Sequence, residues 1–456
     1  MILNIWKWSR TSLLSGITLT LVLGISVDLG QPARAHSHGG ETHSHKEESH
    51  SHAVEHSVTD ALQHEIAFYQ NRIQANPTDG LDRAALATLY LQLASSTGNT
   101  HWYHEAEETA RQSLVNLPFN NPEAQLALAK VAQAEHQFTE ALQFAETVLQ
   151  ENPTNQQALS IVVTSKLAQG QLDQARPVAD QLVEQAPTLV SYTLRALVLV
   201  AQGEDQAALQ DFQQALALEQ PDQLSQSAWA RTLLGRYYAH RGQLPLAKQY
   251  YQEALQLQPH SSFAQVKLAE LETRQGNYGA AATLYQQLLQ YPETSHGLDH
   301  VALQGLAQLK VLQGKLTEAK QLWAKAEHEF RDHQDLDHFG HRRDLAKLLL
   351  ARGHQADLPE ALTLMQTEAS LRQDPETLKT LAWALSRLNR YREAQGVLQD
   401  AIALGIQDAS LFYRASLVEA ALGNKAQAKT YSQKALAIDP NFDTRARALL
   451  ALGGQF

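Results

Sequence analysis

Between residues 170 and 423 a turn-forming residue returns at a nearly fixed spacing. Gly170, Gly203, Gly242, Gly276, Gly314, Gly353, Asn389 and Gly423 are separated by 33, 39, 34, 38, 39, 36 and 34 residues. Each stands between two runs with helical periodicity. Alanine follows about five residues later in nearly every case, at Ala175, Ala208, Ala247, Ala281, Ala319, Ala394 and Ala428, and at Ala361 after a short insertion. Proline closes many of the units, at Pro118, Pro153, Pro187, Pro221, Pro259, Pro292 and Pro440. A unit this short cannot bury its own apolar face, so neighbours must stack into a continuous core. At 456 residues an ordinary chain would divide into two or three domains; an array instead grows by adding units.

The clearest unit runs from Ala228 to Pro259, AWARTLLGRYYAHRGQLPLAKQYYQEALQLQP. Its first helix is expected to pack Leu234, Gly235 and Tyr238. Gly242 supplies the turn, where a positive φ is least unfavourable for glycine. Ala247, Tyr251 and Ala254 then fall on one face of a second helix. Small residues at Gly235 and Ala247 allow the two helices to approach closely, and Pro259 ends the unit. The chain is rich in Ala, Leu and Gln and poor in Val and Ile, which favours helix over sheet.

A period near 34 with this order of residues resembles the tetratricopeptide repeat (TPR). The resemblance covers residues 80–442 in about ten units. It implies an all-α solenoid, a right-handed superhelix of helix-turn-helix repeats. Early units depart from the pattern: the first carries the insertion ASSTGNTHWYHEA before Ala106, and the second has His136 where glycine is usual. Residues 57–79 read as a capping helix ending at Asn76-Pro77, and residues 443–456 as a C-terminal capping helix. The family resemblance further implies a concave inner surface that holds an extended peptide or a partner helix. Mapped on the family pattern, Trp229, Arg236, His240, Arg274, Arg343, Lys347, Trp383 and Arg387 belong to that surface. Basic and aromatic residues there suit an acidic or C-terminal peptide. The lysine-and-asparagine clamp of chaperone-binding TPR domains is not reproduced by Arg343, Lys347, Glu376 and Thr380.

The N-terminus has a different character. Lys7 and Arg10 precede an uncharged apolar stretch from Leu13 to Val27, and Ala33-Arg34-Ala35 fits a small-x-small cleavage site. Residues 1–35 therefore read as a secretory signal peptide, whose apolar stretch is too short for a spanning helix. The expected location is outside the plasma membrane, periplasmic or extracellular, with no stable membrane span after processing. Cysteine is absent, which excludes disulfides, thiolate metal sites and a cysteine nucleophile.

Residues 36–56, HSHGGETHSHKEESHSHAVEH, contain seven histidines in 21 positions: His36, His38, His43, His45, His50, His52 and His56. Nothing in this composition can form a core, so a disordered tail is expected. Imidazole without competing thiolate suits Zn, Ni, Co or Cu. Cleavage after Ala35 would leave a free amine ahead of Ser37 and His38, which resembles the amino-terminal copper- and nickel-binding motif of several extracellular proteins. Protons compete for these nitrogens, so metal is released below roughly pH 6.5. A second cluster, His328, His333, His338 and His341 with Asp332, Asp335 and Asp337, is a further candidate metal site; a solvated connector is the competing reading. His328-Glu329 begins like a zinc-protease motif, but its second histidine falls five residues on instead of four, which swings it off the shared helix face.

Net charge is −11, and −13 once the first 35 residues, net +2, are removed. Such a chain is a poor binder of nucleic acid. The sequence contains no GxxxxGK[ST], no GxSxG and no HExxH. The reading is a non-enzymatic exported scaffold that requires no cofactor. It binds a protein or peptide partner, with a metal transporter or metalloprotein as one candidate, and its tail captures metal. The alternative is a general assembly scaffold for an envelope complex in which the tail has no metal role.

Overall fold

The computed structural model describes residues 17–20, 26–29, 48–97, 99–290, 298–332 and 341–442. Helix α1 spans Glu48–Ala75. Ten helix pairs follow among the described residues. The first five are α2 (Gly80–Thr97) with α3 (His101–Asn116), α4 (Pro122–Ala134) with α5 (Phe138–Glu151), α6 (Gln156–Ala168) with α7 (Leu172–Gln185), α8 (Leu189–Gln202) with α9 (Asp205–Ala217), and α10 (Leu224–His240) with α11 (Leu244–Leu257). The second five are α12 (Ser262–Gln275) with α13 (Tyr278–Gln290), α14 (Asp299–Leu312) with α15 (Leu316–Asp332), α16 (His341–Arg352) with α17 (Leu358–Leu371), α18 (Pro375–Arg387) with α19 (Tyr391–Ala403), and α20 (Ala409–Ala421) with α21 (Lys425–Ile438). The array is the all-helical solenoid the period requires.

Local chemistry sets the helix limits. Asn121, Asn155 and Ser261 each accept the amide of the residue three positions on, at Ala124, Ala158 and Ala264. Asp374 and Asp408 each accept two amides at the starts of α18 and α20. The turn inside each later pair passes through a left-handed residue, and His136 (φ 61°) and Asn389 (φ 58°) take that conformation without being glycine. The alanine of the second helix is fully buried at Ala141, Ala175, Ala208, Ala247, Ala281, Ala319, Ala361 and Ala394. Ala428, on the last described pair, stays partly exposed. Close approach depends on glycine as well: a Cβ on Gly235 would stand 2.6 Å from the Tyr251 ring, and one on Gly305 would stand 2.2 Å from Tyr285.

The solenoid does not remain open. Its second half returns to rest on its first half along a seam between turns. The Gln373 amide donates to the Ala168 carbonyl at 2.9 Å. Asn441 Nδ2 donates to the Gly242 carbonyl at 3.0 Å, across 199 residues. Arg274 pairs with Asp439 and also donates to the Asn441 carbonyl. Gly203 and Gly405, both at positive φ, meet backbone to backbone: a Cβ on Gly203 would lie 2.4 Å from the Gly405 oxygen, and one on Gly405 would lie 2.6 Å from the Gln202 oxygen. No side chain fits at either place.

The most buried part of the seam is ionic. His136 Nδ1 contacts Glu368 Oε1 at 3.1 Å, and the pair is 3% and 0% exposed. Arg372, completely buried, approaches His136 Nε2 at 3.5 Å and donates to Asp374 at 2.7 Å. Burial lowers the His136 pKa; the Glu368 hydrogen bond opposes that, and the nearby charges of Arg372 and Arg343 reinforce it. Burial also opposes ionisation of Glu368, but the contacts with His136, Arg372 and Arg343 prevail and bring its pKa down to about 2.

Several boundaries differ from expectation. Helix α1 begins at Glu48 instead of residue 57, so His50, His52 and His56 lie on helical backbone. Once Ile66 and its neighbours dock α1 on α2, extending the helix backwards adds a hydrogen bond per residue without a new nucleus. Within the expected export signal, strands β1 (Ile17–Thr20) and β2 (Ser26–Leu29) pair antiparallel, Ile17 opposite Leu29. His36, His38, His43 and His45, and the expected C-terminal helix at 443–456, lie outside the described residues.

Candidate functional site

Because the seam closes a superhelical turn, the concave side of the later pairs becomes a chamber of about 430 Å³. Mostly first helices line it, α10, α12, α14, α16, α18 and α20, joined by Tyr251 of α11, Tyr285 of α13, and Asp439 and Phe442 beyond α21. The lining side chains recur in register. Arg236, Glu270, Lys347 and Trp383 each stand six residues before the turn residue of their pair, and Lys267, Arg343, Lys379 and Arg414 stand nine or ten before it. The two sets stand three or four residues apart, close to one helical turn, so these positions share one face.

The chamber carries an excess of positive charge. Seven cations (Arg236, Lys267, Arg274, Arg343, Lys347, Lys379, Arg414) face five carboxylates (Glu270, Asp344, Glu376, Asp408, Asp439). This excess of two sits inside a chain of net charge −11. Most of the cations are answered. Lys347 and Lys379 hold Glu376 at 3.0 and 2.8 Å, Lys379 reaches Asp408 at 2.9 Å, and Lys267 reaches Glu270 at 2.9 Å. Arg343 meets Thr377 at 3.3 Å and Asp374 at 3.7 Å. Lys379 is pushed up despite burial by Asp408 and Glu376, and Asp408 is held well below the usual carboxylate range against its own burial, chiefly by Lys379.

Two guanidiniums have no carboxylate in contact among the described residues. Arg414 is 7% exposed, and its Nε is buried without a hydrogen-bond partner. Its guanidinium stands over the Trp383 ring, 5.1 Å from the centroid. Burial pushes Arg414 down to about 10, with Glu376 and Asp408 opposing from a distance. Arg236 is lowered in the same way, by burial, with only longer-range attraction from Tyr251, Glu376, Glu270 and Asp374. Arginine keeps its proton in proteins. Both therefore stay charged where desolvation disfavours the charge. His240 lies 3.9 Å from Asp408, and its pKa is lowered by burial and by Arg236 and Lys379.

Of the residues expected on the concave face, Arg236, His240, Arg274, Arg343, Lys347 and Trp383 line the chamber. Trp229 does not reach it: the ring is 2% exposed and belongs to the apolar core beside Leu233. Arg387 turns back to its neighbouring pair, donating to the carbonyls of Leu350 and Gly353. Lys267, Lys379 and Arg414 were not anticipated, although counting back nine or ten residues from each turn finds them. Of the second histidine cluster, His333 and His338 lie outside the described residues. His328 is exposed on α15, while the His341 ring packs on His300 at 5.2 Å and Phe330 at 5.8 Å. Among the described residues no helix is long and apolar enough to cross a membrane.

Comparison with known proteins bears on this architecture. The family model described as MalT-like TPR region matches residues 122–411, and that of the tetratricopeptide repeat matches residues 409–442. Similar solved structures include human IFIT1 as a dimer with PPP-AAAA (15% identity, 82% of this chain and 94% of that one, TM-score 0.44). Another is the Cut9-Hcn1 hetero-tetramer of the APC/C (14% identity, 87% and 94% covered, TM-score 0.37). A third is TTC0263, a thermophilic TPR protein of Thermus thermophilus (24% identity, 40% and 95% covered, TM-score 0.36). No curated protein sequence matches the chain.

Proposed function

The chain belongs to the tetratricopeptide-repeat family, and from that premise we propose that it is an exported, non-enzymatic scaffold whose chamber holds an anionic segment of a protein partner. Solenoid repeats present binding surfaces, and TPR proteins bind protein partners, which supports the scaffold reading. The observation that carries the finer reading is the pair Arg236 and Arg414, a half-buried and a buried guanidinium in a net-positive chamber, neither with a carboxylate in contact among the described residues. An unpaired buried charge is costly, and an incoming anion relieves that cost. The partner therefore presents Asp, Glu or a terminal carboxylate toward the chamber, and Trp383 offers an aromatic face beside it.

Export rests on the three-part N-terminal pattern, and metal capture on the seven histidines of residues 36–56. In this reading the tail gathers Zn, Ni, Co or Cu outside the plasma membrane, and the chamber brings the scaffold to the partner that uses it. A metal transporter or metalloprotein is the corresponding partner class.

The test is a photo-crosslinking residue in place of Val301 on the chamber wall, in cells of the native host. The expected result is a discrete protein adduct that disappears when Arg236→Glu and Arg414→Glu are combined. An adduct indifferent to those changes, or none, rejects the chamber as the docking surface. Mass spectrometry of the same material reads the N-terminus. A chain starting at His36 that takes one square-planar Cu(II) or Ni(II) supports the tail reading, and an uncut chain with only weak, unselective binding rejects it.

A further inference from the structure

The first helix pairs carry a cluster that the chamber does not use. His104 and Glu107 stand one turn apart on α3, and Glu135 is the C-cap of α4; one donor atom from each lies within 4.8 Å of the other two. Neighbours hold both carboxylates. Glu135, 7% exposed, accepts at Oε2 from Gln137 Nε2 at 2.9 Å. Glu107 accepts at Oε1 from Arg111 Nε at 2.8 Å, and Arg111 also answers Glu140 at 3.1 Å.

One imidazole and two carboxylates make a donor set suited to zinc and to neighbouring divalent transition ions. Donors about 2.1 Å from a tetrahedral ion stand roughly 3.4 Å apart. The observed spacing therefore closes with about an ångström of movement, which the exposed His104 side chain can supply. Two carboxylates balance the charge of the ion, and three protein donors leave a fourth position open.

The place of the cluster in the fold adds a second argument. Arg72 with Asp82 at 2.7 Å and Gln70 with Tyr90 at 3.0 Å fix α1 antiparallel to α2. The C-terminus of α2 and the N-terminus of α3 share one end of the array, and the cluster is there. At that end α1 continues past α2, because it has 28 residues against 18. The register brings the backbone of His56 roughly level with the start of α3.

We infer that His104, Glu107 and Glu135 form a metal site for a divalent transition ion, zinc foremost, at the end of the array where α1 extends past α2. The inference leans on the metal-capture reading only for the supply of the ion; the donor set is independent of it. The open fourth position is where an incoming ligand would exchange.

Cobalt(II) is the probe, because its visible absorption reports coordination. The full chain with all seven tail histidines replaced by alanine should bind one equivalent, with absorption that zinc abolishes by displacement. His104→Ala in that background should lose the ion, and Glu107→Gln should weaken it at least tenfold, both with unchanged circular dichroism. If the tail-substituted chain takes up no stoichiometric cobalt, or if His104→Ala leaves uptake unchanged, this site is wrong, while metal binding by the intact tail would stand. A body ion retained beside a tail that binds nothing would support this site and reject the tail as the collector.

Discussion

Between α10 and α11 the contact is apolar and close: Gly235 lies against the Tyr251 ring, and Ala247 and Ala254 are fully buried. Across the seam at His136 the contact is buried to the same degree, yet it is built from an imidazole, two carboxylates and a guanidinium. The first kind of interface is repeated from pair to pair with the same residue types. The second occurs between turns some 230 residues apart and depends on each member. A core of the first kind answers a lost side chain with a cavity that closes only partly, whereas an ionic contact of the second kind leaves a buried charge unpaired when any member is lost.

The largest effect that separates the two is expected at Phe212, 1% exposed in the apolar core of α9. Phe212→Ala should destabilise by about 3–5 kcal/mol and lower helicity, as read by urea unfolding followed by circular dichroism. Retained stability there would mean that the repeat cores are looser than the burial implies. Glu368→Gln should cost about 1.5–3 kcal/mol, because it removes a charge-assisted hydrogen bond while keeping the shape. Its signature is different: helicity persists while faster exchange of the Gln373 amide reports an opened seam. Loss of helicity in step with exchange would erase the distinction between the two interfaces.

Acid should act on the seam before it acts on the cores. The folded state lowers His136 from 6.5, so the stability linked to it is complete above that pH and is lost as pH falls below it. Glu368 is lowered from 4.5 to about 2, so its contribution is complete above pH 4.5 and is lost across the interval below. Exchange of the Gln373 amide, corrected for intrinsic rate, should therefore rise from about pH 6 downward while amides in α9 stay protected. A flat profile would show that the imidazole does not govern the seam. The smallest effect is one of opposite sign. Arg414→Met keeps the contact with Trp383 and removes an unanswered buried charge, so the melting temperature should rise, equivalent to about 1 kcal/mol. A fall would mean that Arg414 is already satisfied without a ligand.

The apolar interface could be read from the chain because it repeats. The turn at every 33–39 residues, the alanine after it and the proline closing many units all report contacts made within a pair or with the next one. His136 and Asn389 fit the series because a left-handed turn tolerates them, although neither is glycine. The seam left no such trace, since Gly405 and Gln373 meet residues about 200 positions away and nothing local marks them. The chamber lay between these extremes. Arg236, Arg343, Lys347 and Trp383 were accessible from the repeat pattern, but Arg414 and Lys379 required a strict count from the turn. Trp229 was misplaced because the α10 face that carries it turns inward, where an indole gains more from burial than from solvent. The early start of α1 was missed because composition speaks to burial and not to the propagation of a helix already anchored by Ile66.

The glycine contact between Gly203 and Gly405 also determines how the molecule bears load. An open superhelix is a spring: its ends separate by small rotations at every joint, and the restoring force grows smoothly with extension. A superhelix fastened to itself one turn away cannot extend until the fastening yields. Pulled from both ends, this chain should hold its length, give way in one step at the seam, and only then stretch compliantly pair by pair.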